Sequence, residues 1–129
     1  MLATIVLAIG ISVFSLKIYA KDKSKVKFEE TTYDFGMIKE KGGTVSHEFV
    51  FKNEGPGNLV IIDAKADCGC TQPLFPEAPI SPGKEGKIKV TFNPMGRPGG
   101  FTKVIMVKTN GEPRKVNLKI RGTVVPKDK

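Results

Sequence analysis

The sequence predicts an all-β domain, an immunoglobulin-like sandwich of about seven strands that follows an N-terminal signal or anchor helix. Beyond residue 25 no stretch carries apolar residues at helical spacing over several turns, whereas short alternating runs of apolar and polar residues recur. Turn formers such as Gly42-Gly43 and Pro82-Gly83 separate those runs. Removing 20 of the 129 residues leaves 109, an ordinary size for two packed sheets. A closed barrel of about six strands is the alternative.

The first element is an apolar segment unlike the rest of the chain. Leu2 to Leu16 contains no charged residue, and a charged run begins at Lys21. This segment is shorter than the ~20 apolar residues of a membrane-spanning helix, but it fits the core of a secretory signal with cleavage after Ala20. Export would place the domain in the periplasm or cell envelope, or outside the cell. We therefore expect a signal peptide or anchor at residues 1–20, a charged linker at 21–26, the sandwich at 27–125 and a tail at 126–129.

The strands follow in order from their alternation. Val26 and Phe28, then Tyr33 and Phe35, predict one strand or two short ones. The further strands are expected at residues 45–51, 59–66, 88–92, 101–109 and 116–124. For residues 59–66 and 101–109 the alternation does not show which side chains face inward. The last has the cleanest pattern, with Leu118 directed inward, and Asn110-Gly111 before it predicts a tight hairpin.

The composition is basic, which invites an anionic partner. Without residues 1–20 the chain keeps 20 of its 21 basic residues and all 13 acidic ones, so its formal charge is +7. The lysines are dispersed, however, and favour a solubility role. We expect one solvent-facing basic row, formed by Lys87, Lys89, Lys115, Lys119 and Arg121. The absence of Trp and of an exposed aromatic ladder argues against sugar stacking, and no nucleic-acid partner is expected.

The sequence contains no constellation of catalytic residues. There is no Gly-rich phosphate loop, the carboxylates are scattered, and His47 is the single histidine. His47 shares the predicted apolar face of Phe49, which favours a core histidine. We therefore predict a protein that is not an enzyme and needs no cofactor.

Cys68-Gly69-Cys70 is the one motif that carries special chemistry. In an exported protein the two cysteines would be oxidised to a disulfide. A bridge this short restrains the unfolded chain little, and we expect it to be strained and easily reduced. Gly69 and Thr71 complete the turn, since glycine has no Cβ to clash. Three interpretations stay open: apolar packing, thiol–disulfide chemistry, or a Cu(I) site. For Cu(I), the candidate third ligands are His47, Met37, Met95 and Met106.

Several motifs in fixed order resemble a known family. They are Tyr33-Asp34-Phe35-Gly36, Phe49 to Gly55, Cys68-Gly69-Cys70-Thr71, Pro82-Gly83, Val90 to Pro94, Thr109-Asn110-Gly111 and Ile120 to Val124. Together they resemble the bacterial domain-of-unknown-function family fifteen-seventy-three, which is similar to the immunoglobulin-like domains of major sperm protein and hydin. The resemblance covers residues 27–125. It implies an exported sandwich of the cell envelope with no established activity.

Two functions therefore compete. The first is an exported, non-enzymatic interaction module that binds a protein or envelope polymer of unknown identity, with membrane contact only through residues 1–20 if they are not cleaved. The alternative is a thiol–disulfide redox or Cu(I)-binding accessory protein that acts through Cys68 and Cys70. Binding of nucleic acid or anionic lipid is a third hypothesis, which rests on charge alone.

Overall fold

The computed structural model describes residues 23–126, and all regular structure in them is β. The eight strands are β1 (Val26–Phe28), β2 (Thr32–Lys39), β3 (Val45–Asn53), β4 (Ile61–Ala66), β5 (Thr71–Leu74), β6 (Glu85–Phe92), β7 (Gly99–Thr109) and β8 (Lys115–Val125). The predicted signal or anchor at residues 1–20 lies outside the described residues, as does most of the predicted tail. Residues 23–126 hold no helix of the length and hydropathy that a membrane span requires.

The strands form two four-stranded sheets, with the orders β1-β3-β6-β5 and β2-β8-β7-β4. All pairs are antiparallel except β2 with β8. These orders match the two sheets of a constant-type immunoglobulin sandwich whose first strand is divided between both sheets. The predicted fold class is confirmed, and the barrel alternative is wrong because neither sheet closes on itself.

The core lies between the two sheets and is built from the alternating positions. Leu118 and Ile120 are 0% exposed, as the alternation of β8 predicts. Each such side chain contributes ~1.5–3 kcal/mol on burial. The other buried apolar residues are Val26, Phe28, Phe49, Phe51, Leu59, Ile61, Ala64, Cys70, Ile88, Val90, Phe92, Ile105, Val107 and Val124.

A fully buried asparagine holds the loops at the end of the sandwich where the described chain begins. Asn53 Nδ2 donates hydrogen bonds to the carbonyls of Gly57 (2.7 Å) and Ile80 (2.9 Å). Its Oδ1 accepts from the backbone N–H of Gly55 (3.0 Å) and of Lys25 (3.3 Å). One side chain therefore satisfies four backbone groups from three separate segments, which explains why a polar residue ends β3.

A second asparagine at this end corrects two predictions. Asn110 Oδ1 accepts from Ser24 Oγ (3.0 Å) and from the Val60 N–H (2.9 Å). Ser24 is 3% exposed, so the fold begins inside the predicted linker 21–26. β7 and β8 form the predicted hairpin, but their connection is residues 110–114 rather than a tight turn, and the Asn110 side chain bonds to the neighbouring segments at Ser24 and Val60.

The predicted single basic face is wrong. Lys87 and Lys89 lie on β6 of one sheet, whereas Lys115, Lys119 and Arg121 lie on β8 of the other. Because the inner faces of the two sheets meet in the core, the exposed positions of β6 and β8 face opposite sides of the domain. The positive charge is therefore divided between two surfaces.

Candidate functional site

The Cys-Gly-Cys motif forms the turn that carries the chain from one sheet to the other. It connects β4, an edge strand of one sheet, to β5, an edge strand of the second. The Thr71 N–H donates to the Cys68 carbonyl over 3.2 Å, which closes a β-turn across the motif. The motif therefore lies where two sheet edges meet, at the margin of the core.

The two cysteines of this turn form a disulfide, with their Cα atoms 5.3 Å apart. The Cys70 N–H donates to Cys68 Sγ (3.1 Å), and Thr71 Oγ1 lies 3.5 Å from Cys70 Sγ. The sequence separation of the bridge is 2. Loop-closure entropy assigns a loop of this size only ~1.6 kcal/mol of stabilisation, the low end for disulfides.

The two sulfur-bearing residues differ in exposure. Cys70 is 5% exposed and belongs to the core, whereas Cys68 is half-buried. Gly69 between them is exposed, and a Cβ added to it would meet nothing within 4 Å. Its φ also lies outside the left-handed region. The backbone therefore does not require glycine here, contrary to the sequence-based explanation, and the missing side chain leaves open space beside the bridge.

Backbone contacts hold the turn independently of its sulfur atoms. The Asp67 N–H donates to the Val104 carbonyl (3.2 Å), and the Val104 N–H donates to Asp67 Oδ2 (3.4 Å). The Asn93 N–H donates to the Cys70 carbonyl (3.0 Å). Both flanks of the turn are thus tied to neighbouring strands and loops.

A lysine of β7 lies level with the bridge. Ala66 pairs with Ile105, and the same register continued beyond β4 brings Cys68 opposite Lys103. Lys103 is half-buried and lies two residues before the buried Ile105, so its stem lies on the inner face of the sheet while its ammonium can reach solvent.

His47 has partners of its own, away from the disulfide. Its Nε2 pairs with the Glu30 carboxylate, and its ring stacks on Tyr33 with centroids 3.7 Å apart. It also meets Phe49 edge-on at 4.8 Å, on the apolar face that the sequence indicates. In register His47 lies opposite Val90, so all of β6 separates it from β5.

The predicted Cu(I) ligands are therefore not brought together. Cys68 and Cys70 are bonded to each other, and His47 lies two strands from β5. Met37, Met95 and Met106 are all exposed. Within the described part of the chain, no group of three or more His, Cys, Asp or Glu residues is arranged to hold a metal ion.

A shallow groove of about 550 Å³ crosses the outer face of the second sheet. Its lining includes Asp34, Met37, Phe101 and Arg121. The Asp34 carboxylate accepts from the Gly36 N–H (2.7 Å) and from Arg121 Nε (3.2 Å). The Asp34 carboxylate is thus bound in a local turn and an ion pair. Among the residues that line the groove there is no nucleophile paired with a base.

Half of β3 lies at an open sheet edge. β1 pairs only with residues 51–53 of β3, and the Glu29 N–H then donates to the Val50 carbonyl. Among the described strands, none continues this pairing along residues 45–49. Because backbone groups alternate in direction along a strand, Ser46 and Glu48 direct their N–H and C=O groups the same way as Val50, toward the open side. Sequence alternation alone could not reveal this edge, because it depends on where β1 ends.

The other three edges carry features that discourage pairing. β5 contains Pro73, which has no N–H, and the Thr71 N–H is used inside the turn. β2 has an irregular register between Asp34 and Met37, and β4 has one between Ile61 and Asp63. Bulges and proline are common means of blocking an edge strand. The open half of β3 has neither.

Comparisons with known proteins agree with this architecture. A family model described as "Protein of unknown function (DUF1573)" matches residues 26–124. No curated protein gives a significant match. A solved protein of unknown function from Porphyromonas gingivalis W83 aligns with a TM-score of 0.70 at 15% identity, covering 81% of this chain and 48% of that one.

Two other solved structures carry the same fold. The ASH/PapD-like domain 7 of human CEP192 aligns with a TM-score of 0.61 at 13% identity, covering 81% of this chain and 87% of that domain. The YadV chaperone aligns with a TM-score of 0.52 at 14% identity, covering 80% of this chain and 52% of that one. The chain spans about half the length of the Porphyromonas protein and 32% of the VesB protease of Vibrio cholerae, another structure that it matches. At these identities the structural alignments show a shared fold and nothing further.

Proposed function

The chain belongs to the family of proteins of unknown function designated DUF1573, and from this premise we propose that it is an exported, non-enzymatic interaction module of the cell envelope. Its immunoglobulin-like and PapD-like fold is consistent with a module that binds other proteins. The observation that carries the proposal is the open half-edge of β3, which we define as residues 45–49.

The half-edge suits an extended segment of another protein. Ser46 and Glu48 supply two N–H donors and two C=O acceptors, which is the pattern that β-strand addition uses. A strand added here would continue the line of β1 beside β3. Its alternate residues would reach the inner side, next to the stacked rings of Tyr33 and His47. The partner segment should therefore be extended and carry an apolar or aromatic residue at that position.

Solvent-side contacts would add selectivity to this pairing. Glu48 forms an ion pair with Lys87 at 3.6 Å, and both side chains are more than half exposed. Exposed pairs of this kind contribute little to stability and can rearrange toward a partner's charges. Main-chain hydrogen bonds would supply affinity, while the aromatic pair and these charges would select the sequence.

Export is the second part of the proposal. It rests on the apolar segment at residues 1–20 and on the oxidised cysteine pair, since disulfides persist mainly outside the cytosol. The described chain enters beside the β7–β8 connection, where Lys25 bridges Glu112. The disulfide lies ~20 Å along β7 from that end, estimated from the rise per residue of a strand. An anchored domain would therefore present the disulfide away from its point of attachment.

Site-specific photocrosslinking in the native host tests the interaction. A photoreactive amino acid replaces Glu48 in one full-length chain and the exposed Lys119, on the middle of the other sheet, in the control. We expect a discrete protein adduct from position 48 and none from position 119. Equal adducts from both positions, or none from position 48, would contradict the proposal.

A backbone variant then separates strand addition from side-chain contact. Glu48→Pro removes the N–H that faces the open edge, whereas Glu48→Ala keeps it. With a crosslinker at position 46, the proline variant should lose the adduct and the alanine variant should retain it, provided that circular dichroism shows both folded. Intact mass and fractionation of the same chain report export and cleavage.

A further inference from the structure

We infer that the Cys68–Cys70 bridge is a thiol–disulfide exchange site for a dithiol of another exported protein, with Cys68 as the attacked sulfur and Cys70 as the leaving one. This activity goes beyond the proposed interaction module. The bridge lies at the β5 edge of the sheet β1-β3-β6-β5, on the side opposite the half-edge of β3. The assignment of roles rests on the unequal exposure of the two cysteines, because each sulfur has a hydrogen-bond donor beside it, the Cys70 N–H at Cys68 Sγ and the Thr71 hydroxyl at Cys70 Sγ.

Solvent exposure makes Cys68 Sγ the sulfur that an incoming thiolate attacks. It is half-buried, whereas Cys70 is 5% exposed, and the space beside Gly69 is open. Thiolate attack requires contact with the target sulfur, so an incoming thiolate reaches Cys68 Sγ first. Lys103, level with Cys68 on the inner face of β7, adds positive charge that attracts the anionic nucleophile.

The surroundings of Cys70 suit a leaving thiolate. Thr71 Oγ1 lies 3.5 Å from Cys70 Sγ, and Thr71 is itself buried at 4% exposure. A hydroxyl that donates to a developing thiolate stabilises it, and exchange is faster when the leaving sulfur is the weaker base. Thr71 is thus a positioning residue that acts through Cys70.

The reaction balances with a partner dithiol as the reductant. One partner thiolate attacks Cys68 Sγ, forms an intermolecular S–S bond and breaks the internal one, so that Cys70 leaves as a thiolate and takes up a proton. The partner's second thiol loses its proton and attacks the partner's first sulfur in the mixed disulfide. This attack releases Cys68 as a thiolate, which takes up a proton. The partner is oxidised by two electrons to a disulfide, and the bridge is reduced by two electrons to two thiols.

The scaffold can cycle between both states without unfolding. The turn keeps the Thr71-to-Cys68 backbone hydrogen bond, the Asn93 bond to Cys70 and the two Asp67–Val104 bonds when the S–S bond opens, because none of them uses sulfur. A disulfide that stabilises a fold by cross-linking connects distant parts of the chain. This bridge instead joins two residues with a sequence separation of 2.

Reduction kinetics of the full-length oxidised chain give the first test, with dithiothreitol as the dithiol probe. We expect complete reduction, followed by acid quench, alkylation and intact mass, while circular dichroism still reports a folded sandwich. Thr71→Val should slow reduction by about fivefold through the weaker stabilisation of the leaving thiolate. The control Thr32→Val, an exposed threonine on β2, should reduce at the wild-type rate.

Single-cysteine variants give the second test, with oxidised glutathione as the probe. Cys70→Ser keeps Cys68 and should form the glutathione adduct about tenfold faster than Cys68→Ser, which keeps the buried sulfur. Equal rates, faster reaction of Cys68→Ser, or a wild-type bridge that is reduced only after denaturation would each overturn the inference. The kinetics of the wild-type chain and of Thr71→Val decide the matter if a cysteine variant does not fold. None of these outcomes bears on crosslinking at position 48.

Discussion

Asn53→Asp changes a single NH₂ group into an oxygen at a site with no exposure to solvent. The side chain would still accept hydrogen bonds from the N–H groups of Lys25 and Gly55. It could no longer donate to the carbonyls of Gly57 and Ile80, which lie 2.7 and 2.9 Å from Nδ2. The introduced oxygen would instead face two carbonyl oxygens at hydrogen-bond distance, in a site closed to water.

The expected loss follows mainly from the Gly57 carbonyl, because the Ile80 carbonyl still accepts from the Leu59 N–H (2.9 Å). A buried polar group left without a partner costs ~1–3 kcal/mol. A buried charge adds to this loss. Because a domain of this kind is stable by only ~5–15 kcal/mol, Asn53→Asp should remove much of the free energy of unfolding. The exposed Asn58→Asp is the matched control and should change it by less than ~0.5 kcal/mol.

The effect should also depend on pH. Burial raises the pKa of the introduced carboxyl group in the folded state above its unfolded value of about 4. The folded variant therefore binds more protons than the unfolded one, and its stability falls as pH rises through that range. Urea unfolding followed by circular dichroism, at about pH 7 and about pH 4, measures both effects. A variant as stable as the wild type at neutral pH, or a loss of stability independent of pH, would refute the assigned role of Asn53.

Three further changes test the core and the turn. Leu118→Asp should unfold the domain because it places a carboxylate in a site that is 0% exposed, whereas Lys119→Asp on the exposed face should not, and thermal melts distinguish them. Gly86→Ala would bring a Cβ to 2.5 Å from Phe51 Cζ, so we expect a loss of ~1–3 kcal/mol in urea unfolding; a variant of wild-type stability would contradict this packing. Gly69→Ala has open space and should stay within ~0.5 kcal/mol of the wild type with its disulfide intact, as intact mass would show.

Some elements were predictable because their signals are local. β8 alternates strictly, and its inward residues Leu118, Ile120 and Val124 are all buried as expected. β5 was missed because it is only 4 residues long and contains Pro73, a residue that weakens a sequence-based strand assignment. Its existence depends on pairing with β6, which alternation cannot show.

The candidate site was predictable in its residues but not in its chemistry. Two cysteines separated by one glycine left three interpretations open: apolar packing, thiol–disulfide chemistry and a Cu(I) site. Which sulfur is exposed depends on the packing of β5 against the core, and Lys103 joins the site through the register of β4 with β7. His47 was a candidate metal ligand by its side-chain type. Its position on β3 instead places it in an ion pair with Glu30 and in a ring stack with Tyr33.

The sequence by itself determined that this protein is β throughout its described part and, in the strands that alternate clearly, which side chains face its core. Both follow from a period of two, which each short segment carries without reference to any other. Only the tertiary structure decided that the first strand divides between the sheets, that β3 keeps an open half-edge and that the disulfide lies where two edge strands meet. These features arise from pairing between distant segments, and the alternation within one strand shows its two faces but not which other strand it pairs with.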